Sequence, residues 1–459
     1  MKSALKWLDD HQAQSLRQLE QLVAIPTISI GNNHQAEIRQ GAEAVAELMR
    51  WAGLQQVEIL RVGSSNPYVY GEWLGAPGAP TVFLYAHQDV QPVNFPEQWR
   101  SDPWQLTERD GRLYGRGTAD DKGAIVAQLG AIAALLQTRG TLPVNIKMVV
   151  ESEEEIGSPN LHPFFQEHAQ RIQSDLIVVC DTENPRTSLP GITNSLRGLV
   201  ALKVTVETAQ KPVHSGMGGG AAPDAALALN VLLSRLYREN GPLPIPLFYD
   251  QVRPLSETER ETLQRLPGDE AGWREKLGLL PEAHLALETD LDPHEQTWRR
   301  PAVSIIAQKA GSIESPSNQV LHRAEAIVSC RIVPDQEPEE VYQQLQAFLT
   351  ASPPWDAKVS VAPHGKLVGW WRTDPQGPAF DAARRALHSG YGTEAVVIGC
   401  GGSIGFVEPL SQLFDGAPAL LLGMADHRAD AHAPNESLDR DDLQKLTRSL
   451  AYLFEELGR

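Results

Sequence analysis

Residues 81–89 read TVFLYAHQD, an apolar run suited to a buried strand that closes at once on His87, Gln88 and Asp89. Residues 144–150 (VNIKMVV) end the same way, running into Glu151-Ser152-Glu153-Glu154-Glu155, and residues 176–180 (LIVVC) deliver Asp181. An Ala-rich helical stretch, residues 123–136, lies between the first two. Upstream, Leu16, Leu19 and Val23 recur at helical spacing, and residues 36–51 read as another helix. Near-continuous apolar strands separated by helices indicate a mostly parallel sheet covered on both faces. Ligands of open α/β sheets bind beyond the carboxyl ends of the strands, which is where these polar residues stand.

The pattern changes after about Thr193. Leu202, Val204 and Val206 alternate with polar residues, and so do Ala326, Val328, Cys330 and Ile332. Strands of this kind bury one face, as in an antiparallel sheet with helices on one side; residues 223–238 and 338–350 are the candidate helices. A polar, Pro-rich stretch of uncertain order fills residues 241–300. Apolar strands return at 396–398 and 417–422, and a closing helix carries Leu443, Leu446, Leu450 and Leu453 on one face. The expectation is a three-layer αβα domain (residues 1–193 and 369–459) interrupted by an inserted α+β domain (residues 194–368).

Composition narrows the function. The 459 residues suit two to three domains. With 40 Lys and Arg against 58 Asp and Glu, the net charge is −18, which disfavours nucleic acid and anionic lipid as partners. Hydrophobic content of 42% with 21% charged residues fits a folded chain rather than a disordered one. There is no apolar run of about 18 residues to span a membrane. Asp9, Asp10 and Glu20 interrupt any secretory core at the amino end. Three scattered cysteines, Cys180, Cys330 and Cys400, make no disulfide framework and point to a reducing cytoplasm.

His87 and Asp89 are two apart in an extended chain and so share a face, where a carboxylate can fix the imidazole tautomer. Residues 114–123 (YGRGTADDKG) lack the spacing of a phosphate-binding loop, and their aspartates suit either a helix cap or a divalent cation. Glutamates at 151 and 153–155 repel one another unless neutralised. Residues 426–436 (DHRADAHAPNE) form a polar loop with His432. Each motif alone also reads as a hydrogen bond at a strand end, a cap or a solvated turn. Together, His87, Asp120, Glu154, Glu155, Asp181 and His432 offer oxygen and imidazole ligands without thiolate, suiting zinc, manganese or cobalt. Asp120, Glu155 and Asp181 carry three negative charges, which two divalent ions and one hydroxide balance, whereas one ion leaves buried charge uncompensated.

The chain resembles the di-metal peptidase family of carnosinases, cytosolic nonspecific dipeptidases, carboxypeptidase G and aminoacylase over nearly its whole length. The motifs are AHQDVQP (86–92), YGRGTADDKG (114–123), EEIGS (154–158), Asp181, PVHSG (212–216), RIVPDQ (331–336), GGSI (401–404) and DAHAPNE (430–436). The resemblance is strongest to the dipeptidases. It implies two divalent ions per subunit, zinc with manganese or cobalt as alternatives. His87 and Asp181 would hold one ion, Glu155 and His432 the other, and Asp120 would bridge them. It makes Asp89 the residue that orients His87 and Glu154 the general base for a hydroxide shared by the ions. His214 would stabilise the oxyanion, often across a dimer formed through the inserted ferredoxin-like lid, and Arg331, Gly402 and Ser403 would grip the carboxylate end of a small peptide. Asp rather than Glu at position 181 tilts the family reading to dipeptides over N-acyl amino acids or carboxypeptidase substrates. Cys400 and Gly405 depart from the Glu and Pro of many members and bear on side-chain preference.

Overall fold

In the computed structural model, which describes residues 1–264, 266 and 268–459, the Ala-rich stretch folds as helix Lys122–Arg139. It is buried on every side from Lys122 to Leu135. A helix that is apolar all round belongs in a core, and Gly140, at φ 71°, ends it in the left-handed conformation that favours a residue without Cβ. The chain divides into two compact units, one of Met1–Asn194, Thr373–Ile398 and Phe406–Arg459, the other of Ser195–Arg372 and Gly399–Gly405. Residues 369–372 and 399–405, which sequence reading puts in the αβα domain, pack with the second unit.

The large sheet runs in the order Gln55–Leu60, Tyr68–Trp73, Asn145–Glu151, Thr81–His87, Leu176–Glu183, Ala419–Ala425, Gly191–Leu196 and Trp371–Arg372, with Val396–Cys400 also paired to Gly191–Leu196. It is mixed. The four central strands, from Asn145–Glu151 to Ala419–Ala425, pair parallel, while Gln55–Leu60 with Tyr68–Trp73, Tyr68–Trp73 with Asn145–Glu151, and Ala419–Ala425 with Gly191–Leu196 pair antiparallel. The central strands are those that read as apolar runs, because strands buried on both faces have no solvent face to mark with polar residues.

Side-chain alternation along Thr81–His87 explains the layers. Val82, Leu84 and Ala86 enter a core with residues of helices Lys122–Arg139, Pro378–Tyr391 and Arg440–Leu457. Phe83 and Tyr85 point the other way, onto Phe165, Phe406 and Phe414. Strand Leu176–Glu183 runs on past Cys180, so that Asp181 lies inside it rather than after it.

The second unit holds a four-stranded antiparallel sheet in the order Ala302–Lys309, Arg323–Ile332, Gly198–Glu207 and Lys358–Pro363. With helices Ala225–Ser234 and Pro338–Thr350 the chain order is strand, helix, two strands, helix, strand, the ferredoxin-like arrangement. Val200, Leu202, Val204 and Val206 are buried with Ala326, Val328, Cys330 and Ile332 against Leu229, Leu232 and Leu345. The stretch 241–300 is better ordered than its composition suggests, with helices Glu257–Gln264, Glu270–Lys276 and Pro293–Arg299. Asp269 and Asp292 cap the last two by accepting from backbone N–H groups. Residues 265 and 267 of this stretch lie outside the described residues.

Candidate metal centre

Parallel pairing sets the strand of His87 beside the strand of Asp181. Asp120 stands just before helix Lys122–Arg139, and its peptide bond to Asp121 is cis. His87 Nε2 lies 3.0 Å from Asp120 Oδ1 and 3.9 Å from Asp181 Oδ1. His432 Nε2 lies 2.9 Å from Asp120 Oδ2 and 3.2 Å from Glu155 Oε2. Two ligand groups result, His87–Asp120–Asp181 and Asp120–Glu155–His432, each with its ligand atoms within 4.8 Å of one another. Asp120 belongs to both and turns one carboxylate oxygen to each. Atoms bound about 2.0–2.1 Å from a tetrahedral ion are roughly 3.3 Å apart, and the observed spacings bracket that figure.

The electrostatics match a cation site. Burial lifts Asp181 well above the usual carboxylate range, and repulsion from Asp121 adds to it. Asp121 is itself raised by burial and keeps Oδ1 without a partner. Hydrogen bonds to Asp120 and Glu155 push His432 up to about 11. Burial opposes the charged form of His87, but Asp120 above all raises it well beyond its ordinary value. Protons on the imidazoles thus answer to the same field that two divalent ions would, and the imidazole–carboxylate donor set fits such ions.

Glu154 and Glu155 open the short 3₁₀ turn Glu154–Ile156. Glu154 is in neither ligand group; burial raises it well above its ordinary value, with Asp181, Glu155 and Asp120 adding to the effect against His87. Asp89 faces both His87 and the turn of Glu154 and Glu155. The atom nearest His87 Nδ1 is the backbone carbonyl of Asp89, at 2.9 Å, while its carboxylate is 3.6 Å away. That carboxylate also accepts from the backbone N–H of Glu154 (3.2 Å) and of Glu155 (3.1 Å). Asp89 therefore meets His87 with its carbonyl and its carboxylate, and the Glu154–Glu155 turn with the carboxylate.

Three supports escaped the sequence reading although the quoted motifs contain them. Gln91 Nε2 donates to Glu155 Oε2 at 2.7 Å. Asp121 Oδ2 accepts from the His87 backbone N–H. Fully buried Glu436 accepts from the N–H of Gly117, Ala119 and Asp120 at 3.0–3.2 Å and from Arg116 at 2.6 Å, tying the loop of His432 to the loop of Asp120. A glutamate four residues after a candidate ligand was the available signal. His432 itself has φ 65°, a left-handed conformation uncommon in a non-glycine residue.

The remaining expected residues lie in the second unit. His214 is exposed and accepts from Gly216 N–H through Nδ1. Arg331 Nη1 donates to Ser403 Oγ at 2.7 Å, and Gly402 N–H approaches Cys400 Sγ. Residues 83–456 match the sequence family described as Peptidase family M20/M25/M40. The chain belongs to that family. It is 35% identical over 383 residues to the cysteinylglycine-S-conjugate dipeptidase of Corynebacterium striatum, covering 83% of this chain and 82% of that protein. To the Cys-Gly metallodipeptidase of Schizosaccharomyces pombe it is 28% identical, over 98% and 97% of the two chains. The crystal structure of human carnosine dipeptidase 1 superposes with a TM-score of 0.87 at 27% identity, covering 100% of this chain and 98% of that one. Fold and family agree with the sequence reading of a peptidase with an interrupted α/β domain.

Proposed function

We propose that this M20/M25/M40 peptidase is a metal-dependent dipeptidase that hydrolyses the peptide bond of small peptides with a free amino terminus. The observation that carries it is the Asp120 carboxylate, whose two oxygens face His87 and His432 and so join two ligand groups into one centre. His87 and Asp181 would hold one ion, Glu155 and His432 the other, with Asp120 between them; zinc suits the donors, and manganese or cobalt are alternatives. Divalent ions supply Lewis-acid polarisation and make water a nucleophile near neutral pH.

The chain's own groups do the rest. Glu154, with its raised proton affinity, takes a proton from the attacking water at a carboxylate oxygen and passes it to the leaving amine. The Asp89 carboxylate holds the turn from which Glu154 projects. His214 would donate to the oxyanion, in the partner's site if the enzyme is a dimer, and Arg331, Gly402 and Ser403 would bind the carboxylate end of the substrate. Relatives named for dipeptides support the substrate class.

A homodimer through the second unit is supported by the edge strand Ala302–Lys309, which is exposed along most of its length and turns Ile305 and Ile306 to solvent. Helix Ala225–Ser234 adds exposed Leu227 and Val231. Apolar edge strands are rare on monomers because they template association. Three free thiols support a cytoplasmic location.

Free dipeptides, N-acylated dipeptides and N-acyl amino acids are to be assayed after chelation and stepwise return of Zn²⁺, Mn²⁺ and Co²⁺. Chelation is expected to abolish activity, and metal to restore cleavage of the free dipeptides alone. Hydrolysis confined to N-acyl amino acids would make the protein a deacylase instead.

A further inference from the structure

Arg197 and Arg331 are guanidinium groups of the second unit that no carboxylate of the described residues accompanies. Arg197 Nε donates to the carbonyl of Gly401 (3.0 Å) and Nη1 to that of Arg300 (3.4 Å), while Arg331 donates to the Ser403 hydroxyl. Burial pulls Arg197 down to about 10, and the neighbouring charge of Arg331 adds to that shift. Burial lowers Arg331 as well. Two desolvated cations near one another are costly unless an anion joins them, and the hydrogen-bond acceptors recorded for them among the described residues are carbonyl and hydroxyl oxygens.

Arg197 also holds the loop in which Ser403 lies. Its backbone N–H donates to the carbonyl of Gly402 at 3.1 Å, so that main chain and side chain grasp two consecutive carbonyls. Gly401 is fitted against it: a Cβ there would come within 2.9 Å of Arg197 Nη2 and 3.1 Å of the Thr297 carbonyl. Removing the Arg197 side chain would free the Gly401 carbonyl and take away the positive charge that neighbours Arg331.

We infer that Arg197 is a specificity-determining positioning residue: it fixes residues 401–403 and doubles the local charge, so that Arg331 and Ser403 select a substrate with a free terminal carboxylate. The inference rests on the dipeptidase reading and deepens it. A plain main-chain clamp would stabilise the loop without discriminating between a carboxylate and its neutral isostere, and this difference can be measured.

The test compares kcat/KM for a free dipeptide and for its C-terminal amide in the wild type, Arg197→Met, Arg197→Lys and Arg331→Met, with metal content and melting temperature recorded for each. The wild type is expected to prefer the free acid. Arg197→Met should reduce that preference at least tenfold, chiefly through KM for the acid, and Arg197→Lys should give an intermediate ratio because the charge remains and the fork is lost. Should Arg197→Met fail to fold, the Arg197→Lys ratio decides. A wild-type ratio in both Arg197 variants, alongside a collapsed ratio in Arg331→Met, would overturn the role of Arg197 and leave the carboxylate grip standing. Absence of any acid preference in the wild type would overturn both.

Discussion

Glu154 and Glu155 are chain neighbours with opposite surroundings. Glu155 accepts from Gln91 and faces His432, so its charge is matched. Glu154 is held among carboxylates that, with burial, favour its protonated form. Substitution Glu154→Gln keeps the shape and removes the proton acceptor; kcat is expected to fall by about 10²–10⁴ with the metal content by elemental analysis unchanged. Loss of metal together with activity would instead make Glu154 a ligand. Glu436 touches no ligand side chain, yet its carboxylate gathers three N–H groups of the loop that ends in Asp120. Glu436→Gln turns one of its acceptor atoms into a donor facing those N–H groups, and supports of this kind typically weaken metal binding about 10–100-fold when removed. Competition with a chromogenic chelator measures it, and unaltered affinity would reduce Glu436 to a folding role. Neither assignment follows from residue identity alone, because the acidic residues of these motifs look alike until their partners are known.

At the scale of elements, short strand Arg112–Tyr114 pairs with Ser437–Asp439 and thereby anchors the loop that carries His432. The anchor is a buried bidentate ion pair: Arg112 donates to both oxygens of Asp426 at 2.8 Å and to Ser437. Burial would raise Asp426, but Arg112 holds it below the usual carboxylate range. A group depressed in the folded state stabilises above its unfolded pKa of about 3.9 and loses that contribution as pH falls through the folded value. Arg112→Leu strands the Asp426 charge and is expected to cost about 3–5 kcal/mol at pH 7. The difference from wild type should shrink below about pH 4, where protonation relieves Asp426. Urea unfolding of metal-free protein at the two pH values tests this, and a pH-independent difference would assign the loss to packing. Two residues so far apart in the sequence give no local sign that they pair, whereas the helices and central strands they brace are evident from periodicity.

For the whole molecule, a net charge of −18 would keep copies apart, so any association must come from a concentrated apolar contact. The edge strand Ala302–Lys309 provides one, with Ile306 60% exposed. Ile306→Lys places a charge on an unpaired edge, the usual way proteins prevent strand addition. Light scattering after size exclusion is expected to show a dimer in the wild type and a monomer in the variant. A variant that stays dimeric would move the interface elsewhere, and a wild-type monomer would end the dimer reading.

The central strands, the main helices and the change of architecture near Thr193 were legible from the chain alone, because burial on one face or two imprints a local period on hydrophobicity. Flanking strands such as Gln55–Leu60 and Ala302–Lys309, largely exposed, carry no such imprint and were missed. The polar residues that close Thr81–His87 and Asn145–Glu151 also stood out, since an apolar run that stops abruptly on His and Glu is a local signal even where those residues are buried. Tertiary structure decided the rest: that Asp120 turns one oxygen to each histidine, that the Asp89 side chain also holds the Glu154 turn, and that Glu436 and Arg197 organise loops distant in sequence. A buried polar group must find a partner, but which partner it finds depends on segments that only the folded core brings within hydrogen-bond range.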